Sequence, residues 1–164
     1  MSLEKDIEFI AEQERVLAFK AFDANAAWEL GTSLQRLATE RNLPVALDIT
    51  LHAMPVFYAA LQGSTLDNAR WVRRKRNVVL HFFQSSYAIG RKLALQNSTL
   101  EAKFALADAE YAAHGGSFPI TIAGVGCIGA VTVSGLPQRD DHNLVVEALA
   151  GVLGLDEREL RLPL

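Results

Sequence analysis

Apolar and polar residues along the chain follow two periods, one of three to four residues and one of two. The longer period is typical of amphipathic helices, and the shorter one of half-buried strands. Helical spacing predicts helices over residues 3–14, 24–41, 64–96, 100–111 and 143–152, with a terminal turn over 156–160. Alternating side chains predict strands over residues 45–52 and 54–61, and an uncharged stretch interrupted by a glycine turn predicts two buried strands over 119–123 and 127–134. A short edge strand is possible within 15–22.

The four main strands form two pairs, and the link within each pair is short. The link between residues 52 and 54 predicts an antiparallel hairpin, and Gly124-Val125-Gly126 predicts a second turn. Parallel strands need a crossover of a dozen or more residues, which neither link has. We therefore predict an α+β fold, an antiparallel β-sheet covered by helices, in a single domain over residues 1–164.

Small and polar residues inside the predicted helices indicate close packing and helix ends. Gly31 lowers helix propensity within an apolar stripe, so we expect a neighbour to pack against it. Asp140 or Asp141 is expected to cap the last helix. Tight contact with a neighbouring element is predicted at Ser85, Ser86 and Gly90. The buried face of the 64–96 helix is predicted to contain Trp71, Val72, Val78, Val79, Phe82 and Phe83.

Composition and charge exclude several classes of function. The formal net charge is −3, which argues against a nucleic-acid-binding or membrane-surface protein. Residues 115–138 carry no charge, but six glycines and two prolines among them predict buried strands instead of a membrane span. The single cysteine, Cys127, cannot form an internal disulfide, and we expect it to be buried and inert. Because the N-terminal residues also lack a signal-peptide pattern, we expect a cytoplasmic protein.

A literal dinucleotide-binding pattern, G-x-G-x-x-G, spans Gly124 to Gly129. In a dinucleotide fold these glycines precede a helix whose N-terminus binds the pyrophosphate. Here the next residues, 130–134, have strand character. We therefore predict a turn between two antiparallel strands, with Gly129 inside the second strand and no bound dinucleotide.

Basic and imidazole side chains on the long helix are candidate binding groups. Arg70, Arg74 and His81 lie on one polar stripe at helical spacing. The stripe is compatible with a solvated helix face, and also with an anion subsite in which guanidinium groups bind a carboxylate or phosphate. No two of the four histidines have a metal-ligand spacing, so we predict no metal site. Asp48, Thr50 and His52 share one strand face, which fits a cluster of functional groups and fits a half-exposed sheet face equally well.

Two loops beside the strand pair at 119–134 contain the other candidates. Gly115 and Gly116, which follow His114, permit a backbone to approach a ligand closely. The start of the last helix, near Asp141 and His142, offers free N–H groups to an anion. One hypothesis is that both loops meet the arginines at one end of the sheet. The alternative is that they are simply a loop and a helix cap.

Motifs in the second half of the chain resemble the haem-degrading-domain (GlcG-like) family. His114-Gly115-Gly116-Ser117-Phe118-Pro119-Ile120 is followed by the strand 126–135 and then by the acidic pair Asp140-Asp141, which resembles the family's C-terminal signature. Residues 63–77 and 134–142 resemble one particular branch. The resemblance implies a profilin-like sandwich of two or three layers, homo-oligomers, and a haem or corrinoid ligand in some relatives. It identifies no axial ligand in this chain.

Two functions follow from these observations. The first is a small-ligand-binding protein with an anionic or tetrapyrrole ligand, and its candidate residues are Arg70, Arg74, His81, His114, Gly115, Gly116, Asp141 and His142. The alternative is a non-catalytic oligomeric scaffold or adaptor for protein–protein interaction. We expect a homo-oligomer, a dimer or larger, because the uncharged stretch and the small-residue helix face offer apolar surface. The sequence leaves open whether any reaction is catalysed.

Overall fold

The computed structural model describes residues 2–163 as seven helices and five strands. The helices are α1 (Leu3–Val16), α2 (Ala24–Glu40), α3 (Leu66–Phe82), α4 (Ser86–Leu95), α5 (Leu100–Phe104), α6 (Gln138–Leu153) and α7 (Glu157–Leu160). The strands are β1 (Ala18–Phe19), β2 (Ala46–Leu51), β3 (Met54–Ala60), β4 (Ser117–Ile122) and β5 (Gly126–Ser134). Within the described residues, no helix is both long and apolar enough to cross a membrane.

The five strands form one sheet in the order β1-β4-β5-β2-β3. The short edge strand β1 runs parallel to β4, and the other neighbours are antiparallel, which confirms the predicted sheet and both hairpins. The β2–β3 turn consists of His52 and Ala53, both with positive φ, and such turns match the twist of a hairpin. Gly124 and Gly126 also have positive φ, and the chain continues from them into β5, so no helix opens at the G-x-G-x-x-G pattern.

Helices cover both faces of the sheet. Helices α2 and α6 pack on the apolar face, where Leu47 and Ile49 of β2 lie beside Val131 and Val133 of β5 in the main hydrophobic core. Helix α3 packs on the opposite face, against β2, β4 and β5. The molecule is therefore a sandwich of three layers, helices on a sheet on a helix.

The sheet face beneath α3 is polar, and it is buried. Asp48 and Thr50 are at most 2% exposed, so the interpretation of this face as half-exposed is wrong. The guanidinium of Arg76 on α3 donates to Asp48 Oδ2 (3.1 Å) and to Thr50 Oγ1 (3.2 Å). Burial raises the pKa of the Asp48 carboxyl, and the charge of Arg76 opposes that shift. The face is tolerated in the interior because its polar groups have partners.

The predicted helix over 64–96 is two helices. Phe83 adopts a left-handed conformation (φ 57°, ψ 27°) that ends α3, and the Ser85 hydroxyl then caps α4 by accepting from the Ala88 N–H (3.1 Å). Glu14 of α1 accepts the Ser85 N–H (2.7 Å), so a tertiary contact helps to fix the break. Phe83 is 64% exposed and does not belong to the buried face that the periodicity predicted.

Two further helix boundaries and the burial of the cysteine differ from the prediction. Helix α5 ends at Phe104 because Ala105 is left-handed (φ 56°), and residues 105–110 are irregular. Helix α6 begins at Gln138 after Pro137, so Asp140 and Asp141 lie within its first turn and neither is the N-cap. Cys127 is half-buried, and its burial raises the pKa of the thiol.

Two glycines inside helices permit the close contacts that the sequence predicted. A Cβ on Gly31 would lie 2.4 Å from Cγ of Phe57, and a Cβ on Gly90 would lie 2.1 Å from the carbonyl oxygen of Ala113. Ser85 and Ser86 are fully buried, and the Ser86 hydroxyl donates to the carbonyl of His114 (2.5 Å). The small-residue face of α4 therefore holds the segment before β4 in place.

We predict that Gly90→Ala lowers the free energy of unfolding by about 1–3 kcal/mol, because the added methyl meets a backbone carbonyl that cannot move aside without local distortion. Gly151→Ala is the matched control: it is also inside a helix, and its Cβ would meet nothing within 4 Å. That control should stabilise the fold by up to about 1 kcal/mol. Urea unfolding of both variants measures the difference, and equal midpoints would contradict the packing described.

Candidate functional site

A cleft of about 290 Å³ opens between the first turns of α3 and the loop that joins β5 to α6. Its walls combine charged, amide, aromatic and backbone groups from α3, from the segment before β4 and from the start of α6. The lining residues are Asp67, Asn68, Trp71, Lys75, His114, Ser134, Gly135, Leu136, Gln138 and Asp141.

A buried ion pair forms the floor of the cleft. Lys75 Nζ lies 2.8 Å from Asp141 Oδ2, and the two side chains are 4% and 1% exposed. Lys75 also donates to the carbonyl of Val133 (3.1 Å). Asp141 accepts the N–H groups of Gly135 (3.3 Å) and Leu136 (3.0 Å). The pair therefore joins α3, the end of β5, the following loop and α6.

Burial and mutual attraction have opposite effects on the pKa values of Lys75 and Asp141. Burial lowers the pKa of the Lys75 ammonium and raises the pKa of the Asp141 carboxyl, and the attraction between them opposes both shifts. The two backbone N–H donors to Asp141 further favour its carboxylate. We therefore expect both groups to be charged at neutral pH.

The glycine loop makes room for the ion pair. Gly116 has φ +126°, and a Cβ at this position would lie 2.3 Å from the carbonyl oxygen of Val133 and 2.7 Å from Lys75 Nζ. A Cβ on Gly115 would lie 2.0 Å from the carbonyl oxygen of Gln138. Both glycines are buried against protein atoms, so their close backbone approach is to the ion pair and to the start of α6.

Aromatic rings form one wall. Trp71 and His114 pack edge to face with centroids 5.0 Å apart, and the Arg74 guanidinium lies 4.5 Å from the Trp71 ring centroid. Trp71 Nε1 donates to Asp67 Oδ2 (3.2 Å), which fixes the indole. Burial lowers the pKa of His114, and the charges of Lys75 and Arg74 lower it further while Asp108 opposes them. The imidazole is consequently neutral at pH 7.

The structure brings together only part of the predicted set. His114 and Asp141 line the cleft, and Gly115 and Gly116 lie directly behind them. Arg74 does not line the cleft itself, but its guanidinium stacks on Trp71, which does, and so lies at the rim. Arg70 and His81 are exposed and do not line the cleft; His81 packs against Phe82 with ring centroids 4.6 Å apart.

His142 lies in the core instead of the cleft. Its Nε2 is 2.8 Å from Oε1 of Gln13, and because Gln13 Nε2 donates to the Leu160 carbonyl, the imidazole Nε2–H is the donor to Gln13. Its Nδ1 has no partner within residues 2–163. Burial, together with the charge of Arg139, lowers the pKa of His142 to about 3, so the ring is neutral and serves packing.

Lys75 and Trp71 are the important residues that the candidate set did not include. One signal was present, because Lys75 interrupts the apolar stripe of Val72, Val78 and Val79 on α3. A lysine within a buried stripe requires a carboxylate partner. The identity of that partner depends on the fold, since Asp141 is 66 residues away.

We predict that Lys75→Met lowers the free energy of unfolding by about 3–5 kcal/mol, because it leaves the Asp141 carboxylate buried without its counter-ion. The double variant Lys75→Met, Asp141→Asn should lose less than the single variant, since no unpaired charge remains. Chemical denaturation at pH 7 measures both. If the single variant loses less than about 1 kcal/mol of unfolding free energy, the ion pair behaves as a solvent-exposed one, which contradicts its burial in the structure.

Comparison with known proteins identifies the family. The model of the family described as "Haem degrading protein HbpS-like" matches residues 22–150 of this chain. A UPF0303 protein of Rhizobium leguminosarum bv. trifolii is 63% identical over 162 residues, which cover 99% of this chain and 98% of that protein. The crystal structure of Ybr137w protein superposes with a TM-score of 0.84 at 32% identity, covering 90% of this chain and 87% of that one.

A more distant likeness is to the crystal structure of a PduOC:Heme complex. It has a TM-score of 0.68 at 15% identity and covers 79% of this chain and 94% of that one, so the likeness establishes a shared fold. The family match and the close relatives go further, because they extend over most of the sequence. The chain belongs to the HbpS-like haem-degrading family and, within it, is similar to the UPF0303 proteins.

Proposed function

We propose that the protein binds a small anionic ligand in the cleft, and that Arg74 is the group that recognises its charge. The observation that carries this proposal is the guanidinium of Arg74 at the cleft rim. Its Nε donates to the carbonyl of Asp108 (2.7 Å), and neither terminal nitrogen has a hydrogen-bond partner within residues 2–163. A guanidinium held in place at one nitrogen, with two free, presents a ready fork to a carboxylate or phosphate.

The charges of the cleft favour Arg74 over Lys75 in this role. Lys75 is the only cation in the lining, and its ammonium already contacts Asp141 and the Val133 carbonyl. The lining also contains the Asp67 carboxylate, which repels an anion deep in the cleft. An acidic group is therefore best accommodated at the rim, with neutral donors such as the Asn68 amide holding the rest of the molecule.

A tetrapyrrole fits this cleft less well than a small acid. The likeness to a haem complex supports ligand binding in this fold, and the neutral His114 imidazole is a possible haem ligand. However, a volume of about 290 Å³ is at the lower end of small-molecule pockets, roughly 300–1,000 Å³. The lining is also strongly polar and contains two carboxylates, whereas a macrocycle needs a wide apolar slot. The volume and polarity of the cleft therefore favour a small acid over a whole haem.

We predict that Arg74→Ala abolishes the thermal stabilisation produced by a small acid while leaving the melting temperature of the free protein nearly unchanged. A ligand at 100 times its Kd should raise the melting temperature of the unaltered protein by roughly 5–10 °C. The matched control is Arg70→Ala, one turn earlier on α3, which is exposed and does not stack on Trp71, and which should keep the shift.

The screen should contain small mono- and dicarboxylates, phosphate, haem and cobalamin. If haem is the one compound that stabilises the protein, and Arg74→Ala leaves that stabilisation intact, the ligand is a tetrapyrrole and the proposal of a small anion is wrong. If no compound stabilises the protein, the binding proposal fails.

A homo-oligomeric scaffold is the second candidate, and a different surface from the predicted one favours it. Ser85, Ser86 and Gly90 are used inside the subunit, so they offer no oligomer contact. Exposed apolar side chains instead flank the edge strand β3 on both of its faces: Tyr58, 51% exposed, pairs with Asp48 on the face beneath α3, and Trp28, 64% exposed, packs on Phe57 on the α2 face. Met54, 62% exposed, begins the strand. Exposed apolar patches of this kind are typical of subunit contacts.

We predict that light scattering at micromolar concentration gives a mass of at least twice the 17.9 kDa of one chain. The double variant Trp28→Glu, Tyr58→Lys should lower the mass towards one chain, because it places charge on the proposed contact. Val125→Lys, at the 74% exposed tip of the β4–β5 turn, is the control and should leave the mass unchanged. A monomeric mass for the unaltered protein would exclude the assembly.

A further inference from the structure

A second cavity lies next to the cleft, on the far side of His114. It has a volume of about 360 Å³ and lies between α4, the start of α5 and the segment that leads to β4. Most of its lining is apolar or small, including Leu93, Leu100, Tyr111, Ala112 and Ala113. Polar side chains of Ser98, Thr99 and Asp108 also line it. Cavities lined in this way favour an apolar group over water.

Two side chains separate the cavities. His114 lines both of them. Arg74 lines the second cavity and stacks on Trp71, which lines the first. The His114 ring is solvent-exposed on one side, and its contact with Trp71 is an edge-to-face packing. Neither separating side chain belongs to the hydrophobic core, so the partition can shift without disrupting the fold.

The boundary carries positive charge. The ammonium of Lys75 and the guanidinium groups of Arg74 and Arg91 all act on His114, and Asp108 is the one opposing charge among these neighbours. Nε of Arg91 is buried and has no hydrogen-bond partner within residues 2–163. Among the described residues, Arg91 lines neither cavity, whereas Arg74 lines the second one and its two terminal nitrogens are unused. A cation of this kind beside an apolar cavity matches a ligand with an acidic head and an apolar tail.

We propose that the cleft and the second cavity form one bipartite site for an amphipathic carboxylate. Its carboxylate binds Arg74 at the boundary, and its aliphatic or aromatic tail occupies the cavity between α4 and residues 105–113. The proposal rests on the proposed function, since it names the class of acid that Arg74 recognises. It adds that affinity depends on the length of an apolar tail, which the cleft alone does not require.

Calorimetric titration with straight-chain carboxylates from butyrate to octanoate tests the tail. Each added methylene that enters the second cavity should strengthen binding by about fourfold, the equivalent of about 0.8 kcal/mol. The corresponding primary alcohols test the head. Octanol should bind at least tenfold more weakly than octanoate, and the difference should disappear in Arg74→Ala.

A variant that fills the second cavity, together with a matched control, tests whether the tail binds there. Ala94 lies at the exposed edge of the second cavity, so Ala94→Phe places a ring in the cavity without replacing a core residue. The next residue, Leu95, is 43% exposed and lines neither cavity, so Leu95→Phe is the control. Ala94→Phe should weaken octanoate binding much more than butyrate binding and so remove the dependence on chain length, and Leu95→Phe should alter neither affinity.

The outcomes separate the two proposals. Equal affinity for butyrate and octanoate, with both lost in Arg74→Ala, overturns the bipartite site and leaves the anion cleft in place. Length dependence that survives Ala94→Phe also overturns it, because the tail then binds elsewhere. If no carboxylate binds at all, the bipartite site fails, and the anion cleft fails with it unless phosphate stabilises the protein in a manner that Arg74→Ala abolishes.

Discussion

The buried ion pair of Lys75 and Asp141 is the interaction on which the candidate site depends. Two charged groups inside a protein are costly unless each has a close counter-ion and its remaining hydrogen-bonding capacity is used. Here Asp141 accepts two backbone N–H groups and Lys75 donates to a strand carbonyl. These bonds fix the end of β5, the turn after it and the first turn of α6 relative to α3. The cleft is the space that remains between these elements.

The same pair explains why glycines precede β4. Any side chain at Gly116 would meet the ammonium and the Val133 carbonyl, and one at Gly115 would meet the start of α6. The loop is therefore glycine-rich because protein atoms pack against it. In the sequence, a glycine-rich loop beside a predicted helix start suggested direct contact with a ligand. In the structure, the two glycines lie behind the residues that line the cleft and contact protein atoms.

Three of the four consecutive cations of α3 have three different roles because successive helix residues point about 100° apart. Arg76 reaches down to Asp48 and Thr50 on the polar sheet face. Lys75 points to the end of β5 and α6. Arg74 points outwards to the cleft rim and stacks on Trp71. One basic run in the sequence is thus divided between the interior, the floor of the cleft and its rim.

Hydrophobic periodicity was sufficient to predict the sheet, because β2 and β5 alternate strictly and their links are too short for crossovers. It was not sufficient at positions where a distant residue decides the local structure. The break at Phe83 is supported by Glu14, 69 residues before it in the sequence, which accepts the N–H that starts α4. The polar face of β2 appeared half-exposed because its partner, Arg76, lies on another element.

The candidate site shows the same limit more strongly. His114 was found because it belongs to a recognisable loop, whereas His142 was included because it is next to Asp141 in the sequence. Adjacent residues on a helix point in different directions, so Asp141 faces the cleft and His142 faces Gln13 in the core. In the proposed function, ligand recognition has to come from groups whose hydrogen-bonding capacity the fold leaves unused. Lys75 and Asp141 satisfy each other and His142 is buried in the core, so the proposal assigns an acidic ligand to the terminal guanidinium nitrogens of Arg74.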